Sequence, residues 1–164
     1  MLYAKIRSGS TRREQEEGAV ATPMKGGCPL RRCPLRCTGE PVSALLCHCR
    51  DCQRQSGSAY AAAVRVPAVS FQVTQGEPKL YVKTADSGNQ VTRAFCPECG
   101  CMLFLRVSAR PDLVGIRVGS LDDPSWFRPE ADIFVDSAQP WDHVNPDLPK
   151  YGAYPPGKAY EPSG

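Results

Sequence analysis

No apolar run in the 164-residue chain approaches the roughly 20 residues that span a bilayer, so no membrane contact is expected. The N-terminus is charged and has no apolar h-region. No secretory signal is therefore expected, and the chain is read as cytoplasmic. Charge of one sign is also scarce. The net charge is only +3, and the basic residues are not clustered among interleaved aromatics. That argues against nucleic acid as a partner. Hydrophobic residues at 41% and charged residues at 23% are ordinary for a globular chain, and the length suits one domain with tails.

Cysteine is what the sequence has in excess, with nine residues. A disulfide framework is not expected, because the cytosol keeps thiols reduced. Clustered cysteines in such a chain read as metal ligands.

Residues 1–23 are polar and lack a sustained period, so they read as a flexible N-terminal extension. Met24 opens "MKGGC" and would serve as an initiator. Residues 24–141 form the expected domain. Residues 142–164 carry five prolines and read as an extended tail without a core of its own. The domain looks mainly β. Runs rich in β-branched and aromatic residues, bounded by Gly, Pro, Asp and Ser, predict strands at 59–66, 71–74, 79–84, 90–95, 102–107, 113–119 and 131–136. "QGEP" and "DSGN" supply the turn residues between them. Only 44–56 reads as a short helix, with a loop and turn as an equal reading.

Two cysteine motifs carry chemistry. "CHCRDC" sets Cys47, Cys49 and Cys52 in a Cys-x-Cys-x-x-Cys array, which a short loop can turn toward one point. Thiolates suit zinc, and three protein ligands leave a fourth position open, as in catalytic sites. Closure by a distant fourth residue is an equal reading on spacing alone. "FCPECGC" gives Cys96 and Cys99 in a zinc-knuckle shape, whose glycine relaxes the backbone after the second ligand. It needs two more ligands, and Cys28 is the natural third. Cys101 reads as a small core or surface residue and a spare ligand.

Other residues draw structural readings. His48 between two ligands would crowd one metal, so it is placed behind them or at the surface. His143 is assigned nothing. Asp122 and Asp123 precede a proline and mark a turn. Arg50, Arg54 and Arg93 can pair with the carboxylates of an anionic ligand, but each singly reads as a solvated arginine. Trp126, Phe127 and Trp141 are expected in the core.

The segments "KGGC", "CHCRDCQRQSGSAYAAAVRVP", "FQVTQGEPKLYVKTADSGNQVTRAFCPECG" and "VGSLDDPSWFRPEADIFVDSAQPW" follow one another in an order that resembles the glutathione-dependent formaldehyde-activating (GFA) and CENP-V-like family. The resemblance runs from Met24 to Trp141. It implies a β-tent fold of short antiparallel sheets organised around two zinc sites. It implies that Cys47, Cys49 and Cys52 hold a catalytic zinc, and that Cys28, Cys96 and Cys99 belong to a structural one. It also implies a carbon–sulfur lyase acting on glutathione, or another thiol, and formaldehyde or a related small electrophile. The alternative is a non-enzymatic, zinc-stabilised protein-interaction module.

One segment departs from the family pattern, which places the fourth structural cysteine at position 30. This chain has Leu30 there, inside "PLRRCPLR". Codons can be chosen for that segment so that the neighbouring frame reads Leu-Cys-Gly-Ala-Val-Arg-Tyr, the family-like version. Cys33 then reads as a by-product of a shifted frame, and Cys37 as an ordinary strand residue. Taken as it stands, the segment puts Pro29, Pro34, Arg31, Arg32 and Arg36 where an apolar strand belongs. Weaker zinc retention and lower stability are expected, with Cys33 badly spaced as a substitute unless a local loop brings it in.

Overall fold

Alternation along the strands explains the architecture. In the computed structural model, which describes residues 23–155, the strands are β1 (Met24–Gly26), β2 (Leu35–Cys37), β3 (Ser43–Cys47), β4 (Ala61–Pro67), β5 (Phe71–Val73), β6 (Lys79–Thr84), β7 (Gln90–Phe95), β8 (Met102–Val107), β9 (Leu113–Arg117), β10 (Ala131–Ile133) and β11 (Lys150–Tyr151). The one α-helix among the described residues is α1 (Arg50–Ser56). The fold is mainly β, as expected.

Strands β1, β2 and β5 pair antiparallel into a small sheet. The other eight form one sheet in the order β11-β10-β3-β4-β9-β8-β7-β6. That sheet is mixed, because β10 runs parallel to both β3 and β11. The core lies between the two sheets. Val64 and Val66 of β4, Val114 and Ile116 of β9 and Phe104 of β8 face it, and Met24, Leu35, Cys37 and Phe71 of the small sheet meet them. Phe71 and Phe104 pack edge to face with ring centres 4.9 Å apart. Each such buried side chain contributes on the order of 1.5–3 kcal/mol. The opposite residues of the same strands, Ala63, Arg65, Leu105, Gly115 and Arg117, line a cavity instead.

The expected strands at 71–74, 79–84, 90–95 and 102–107 are found within a residue of their bounds. Two others stop early: β9 and β10 are followed by single 3₁₀ turns at Val118–Ser120 and Val135–Ser137. The region 44–56 splits into strand β3 and helix α1. Cys49 caps the helix, its sulfur accepting from the N–H of Cys52 at 3.4 Å. The helix closes where the Gly57 N–H returns to the Gln53 carbonyl.

The segment 29–36 disturbs the small sheet less than its composition suggests. A tight turn held by Arg31 N–H to the Cys28 carbonyl at 2.9 Å absorbs Pro29 and the arginines. Strand β2 then follows Pro34 with Leu35 and Cys37 buried and Arg36 exposed, so apolar alternation is restored. Trp141 is exposed, contrary to its expected place in the core, while Trp126 packs partly buried against the core.

The described part of the tail packs on the domain. Strand β11 joins the sheet, and Tyr151 and Tyr154 pack on Leu45, Ala131 and Ile133. The extension at 1–22 lies outside the described residues. Among the described residues no helix is long and apolar enough to cross a membrane.

Candidate metal centres and their cavity

Strand β3 ends at Cys47 and helix α1 begins two residues past His48. That short strand-to-helix corner converges three thiols. The sulfurs of Cys47, Cys49 and Cys52 all lie within 4.8 Å of one another. Zinc-bound thiolates sit at about 2.3 Å from the metal, hence about 3.8 Å apart in a tetrahedron. The set is all sulfur and partly buried, so it fits a borderline-soft cation. The thiols interact strongly. Cys47, then Cys52, donates to the Cys49 sulfur and holds it as a thiolate, with a pKa lowered to about 2. The same hydrogen bond to Cys49 leads in pushing the Cys47 thiol up. Cys52 receives help from Cys47, but Cys49 and burial outweigh it and push its thiol up too.

The second group is Cys28, Cys96 and Cys99, again with sulfurs within 4.8 Å. Strand β7 delivers Cys96 into the core, and the turn that follows brings Cys99 back, with Gly100 at φ 71° closing it as the knuckle spacing suggested. The Cys99 backbone N–H is the main cause holding Cys96 down at about 7. Each triad therefore holds one cysteine, Cys49 or Cys96, whose neighbours favour its thiolate. Cys101 is half-buried against the core and lies outside the triad. Cys37 is fully buried in β2.

The first triad opens onto a cavity of about 330 Å³, within the usual range for small-molecule sites. Cations line it: Lys83 of β6, Arg93 of β7, Arg65 of β4 and Arg117 of β9, with Arg50 and Arg54 of α1. Arg93 is buried, not solvated, and its Nε has no hydrogen-bond partner. Asp51 in α1 ties this wall to the thiol loop, accepting from Lys83 at 2.7 and 2.9 Å with Arg93 3.6 Å away. Arg117 donates to Gln55 at 2.7 Å. Sequence reasoning missed Lys83, Arg65 and Arg117. The signal was present in "AVRV" and "GIRV", where one arginine interrupts an apolar strand. Asp122 and Asp123 are exposed turn residues, Asp122 pairing with Arg31 and Asp123 accepting from the Ser125 N–H.

His48 is behind the ligands and not at the surface. Its side chain is 1% exposed and bridges two buried carboxylates, Asp132 at 2.8 Å and Asp142 at 2.7 Å. The backbone N–H of His48 bonds Ile133 O at 2.9 Å, and Gln53 donates to the His48 carbonyl at 2.5 Å. This network pins the loop that carries Cys47 and Cys49. Asp132 already has one oxygen without a partner. Replacing His48 by leucine would strand both carboxylates, and breaking buried pairs of this kind costs about 3–5 kcal/mol. An unfolding free energy from urea denaturation lowered by that amount is expected. A loss under about 1 kcal/mol would show that the carboxylates find water or other partners.

The sequence from residue 23 to 137 matches the glutathione-dependent formaldehyde-activating enzyme family. The chain belongs to that family. No curated protein matches it. Among solved structures it is similar to a Rhodobacter sphaeroides protein, at 20% identity and a TM-score of 0.51, over 78% of this chain and 99% of that one. That likeness bears on the fold alone. The family is associated with glutathione-dependent formaldehyde activation.

Proposed function

We propose that the protein is a zinc-dependent carbon–sulfur lyase that joins glutathione, or a similar carboxylate-bearing thiol, to formaldehyde. One observation carries the reading: a single cavity combines the thiol triad Cys47, Cys49 and Cys52 with Lys83, Arg93 and Arg117. A small anionic thiol needs both halves. A protein-interaction module needs neither an enclosed cavity nor buried cations in it.

In the reaction the thiol sulfur bonds to the carbonyl carbon, the carbonyl π pair stays on oxygen, and the thiol proton ends there as a hydroxyl. Nothing is oxidised and nothing leaves. When bound, zinc supplies a charge that lowers a thiol's pKa and polarises an aldehyde oxygen. The three cysteines hold that charge at the cavity wall. Arg93 and Arg117 orient the thiol through its carboxylates, and Lys83 with Asp51 fixes the position of Arg93 beside the triad. Holding both reactants in one cavity contributes the proximity term.

The test is adduct formation by zinc-loaded protein at saturating glutathione and formaldehyde, followed by NMR. A rate above the spontaneous one is expected. Equality with the spontaneous rate over a range of thiols would refute the reading. A charged hydrogen bond is worth about 1.5–3 kcal/mol, so Arg93→Met should raise KM for the thiol about 10–100-fold while kcat changes less. An unchanged KM would remove Arg93 from thiol binding.

A further inference from the structure

The metal group at Cys28, Cys96 and Cys99 has three ligands where a closed structural zinc site takes four. Position 30 supplies none: Leu30 is 52% exposed. The chain instead turns back on itself. Arg31 adopts the left-handed conformation at φ 54°, its N–H bonded to the Cys28 carbonyl at 2.9 Å. The next N–H, of Arg32, donates to the Cys28 sulfur at 3.2 Å. This reversal returns Cys33 to the site that Cys28 had entered. Cys33 is 1% exposed and lies in the same core cluster as Cys28 and Cys96, close enough that Cys96, Cys28 and Cys99 all help burial to push its thiol up, although its sulfur stands outside the 4.8 Å group that those three form.

The loop is held there from the other side. The Thr74 N–H donates to the Pro34 carbonyl at 2.9 Å. Gly76, at φ 72°, passes so close that a Cβ would stand 2.0 Å from the Arg32 carbonyl oxygen and 3.7 Å from the Cys33 sulfur. Arg32 pairs with Glu98 of the knuckle at 3.2 Å, and Arg31 with Asp122 at 2.8 Å. These exposed pairs contribute little energy but hold the turn in place.

We propose that Cys33 is the fourth ligand, making Cys28, Cys33, Cys96 and Cys99 a closed four-thiolate zinc centre. The ligand spacing in this chain is then Cys-x₄-Cys, within the range that structural zinc sites use. The proposal is independent of what the other triad does. Its physical content is that the thiol is buried in one core cluster with Cys28 and Cys96, and coordination draws its sulfur in toward the other three. The arginine-rich turn that breaks the expected strand is the loop that brings the ligand in.

Zinc release to a chelator, followed by native mass spectrometry on the full chain, tests this. Cys33→Ser should release one of two zincs at least tenfold faster, since even groups behind the ligands are worth 10–100-fold in affinity. Cys101→Ser should release like the parent. Release from Cys33→Ser at the parental rate overturns the proposal. So does rapid release from Cys101→Ser, which would make Cys101 the fourth ligand. Where Cys33→Ser does not fold, the cadmium-113 spectrum of the parent decides. One resonance at the far-downfield position of four thiolates is expected, and two resonances at three-thiolate positions would refute it.

Discussion

Cys96→Ala is expected to leave the protein unfolded, and chelation of the parent is expected to do the same reversibly. Cys96 is completely buried at the end of β7 and sits in the main core with Cys28, Cys33 and Leu103. Its group connects two separate stretches of chain, the turn after β1 and the turn after β7, at the core between the sheets. No metal site of this kind is preformed in an unfolded chain, so binding energy is folding energy. For structural zinc it is about 10–16 kcal/mol in small peptides. A domain this size has a net stability of about 5–15 kcal/mol. The metal term is as large as the whole margin. Losing the metal therefore removes the fold, and Cys96, fully buried in the core, is the ligand whose loss is expected to release it. Far-ultraviolet circular dichroism of Cys96→Ala should lack a cooperative melt. The parent in excess chelator should lose its melt and regain it when zinc is returned. A melting temperature within about 5 °C of the parent in either experiment would show that the hydrophobic core suffices without metal.

How much of this could be read beforehand depended on the distance along the chain. Cys47, Cys49 and Cys52 span six residues, and a corner that short leaves few ways to place three sulfurs. Cys96 and Cys99 are constrained in the same way. Linking Cys28 to them requires the turns after β1 and β7 to meet in space, which spacing along the chain does not show; Cys28 was the natural third ligand among the remaining cysteines, and the family resemblance placed it there too. The arginines of the cavity were harder. Arg65 and Arg117 alternate with Val64, Val66 and Ile116, which identifies two faces but not which one is hollow. His48 looked peripheral because its partners Asp132 and Asp142 lie 84 and 94 residues away. The tail looked loose because proline density describes local stiffness and says nothing of docking, yet Tyr151 pairs with Ile133. The segment 29–36 looked like a damaged strand because proline and arginine were scored against a strand. Scored against a turn, the same residues fit, with Arg31 at positive φ and Leu30 turned outward.

Cys52→Ala should abolish catalysis while leaving the fold intact, which separates the two metal groups by their consequences. Cys52 is the third residue of α1, and alanine is the best helix former, so the helix itself should not suffer. The backbone N–H that donates to Cys49 remains in place. What disappears is one thiol of three, and with it one of the two thiols that hold Cys49 as a thiolate. Two cysteines do not retain zinc against a chelator as three do, and losing a direct ligand should cost at least about 100-fold in metal affinity. The expected zinc content therefore falls from two per chain to one. The adduct rate falls to the spontaneous value, and the melting temperature stays within a few degrees of the parent because Cys28, Cys96 and Cys99 are untouched. Arg93→Met should behave differently, keeping both zincs and losing thiol affinity. Catalysis by Cys52→Ala at the parental rate would take the reaction away from this triad. A variant that keeps two zincs but no activity would instead leave the metal in place and assign Cys52 a direct part in the chemistry.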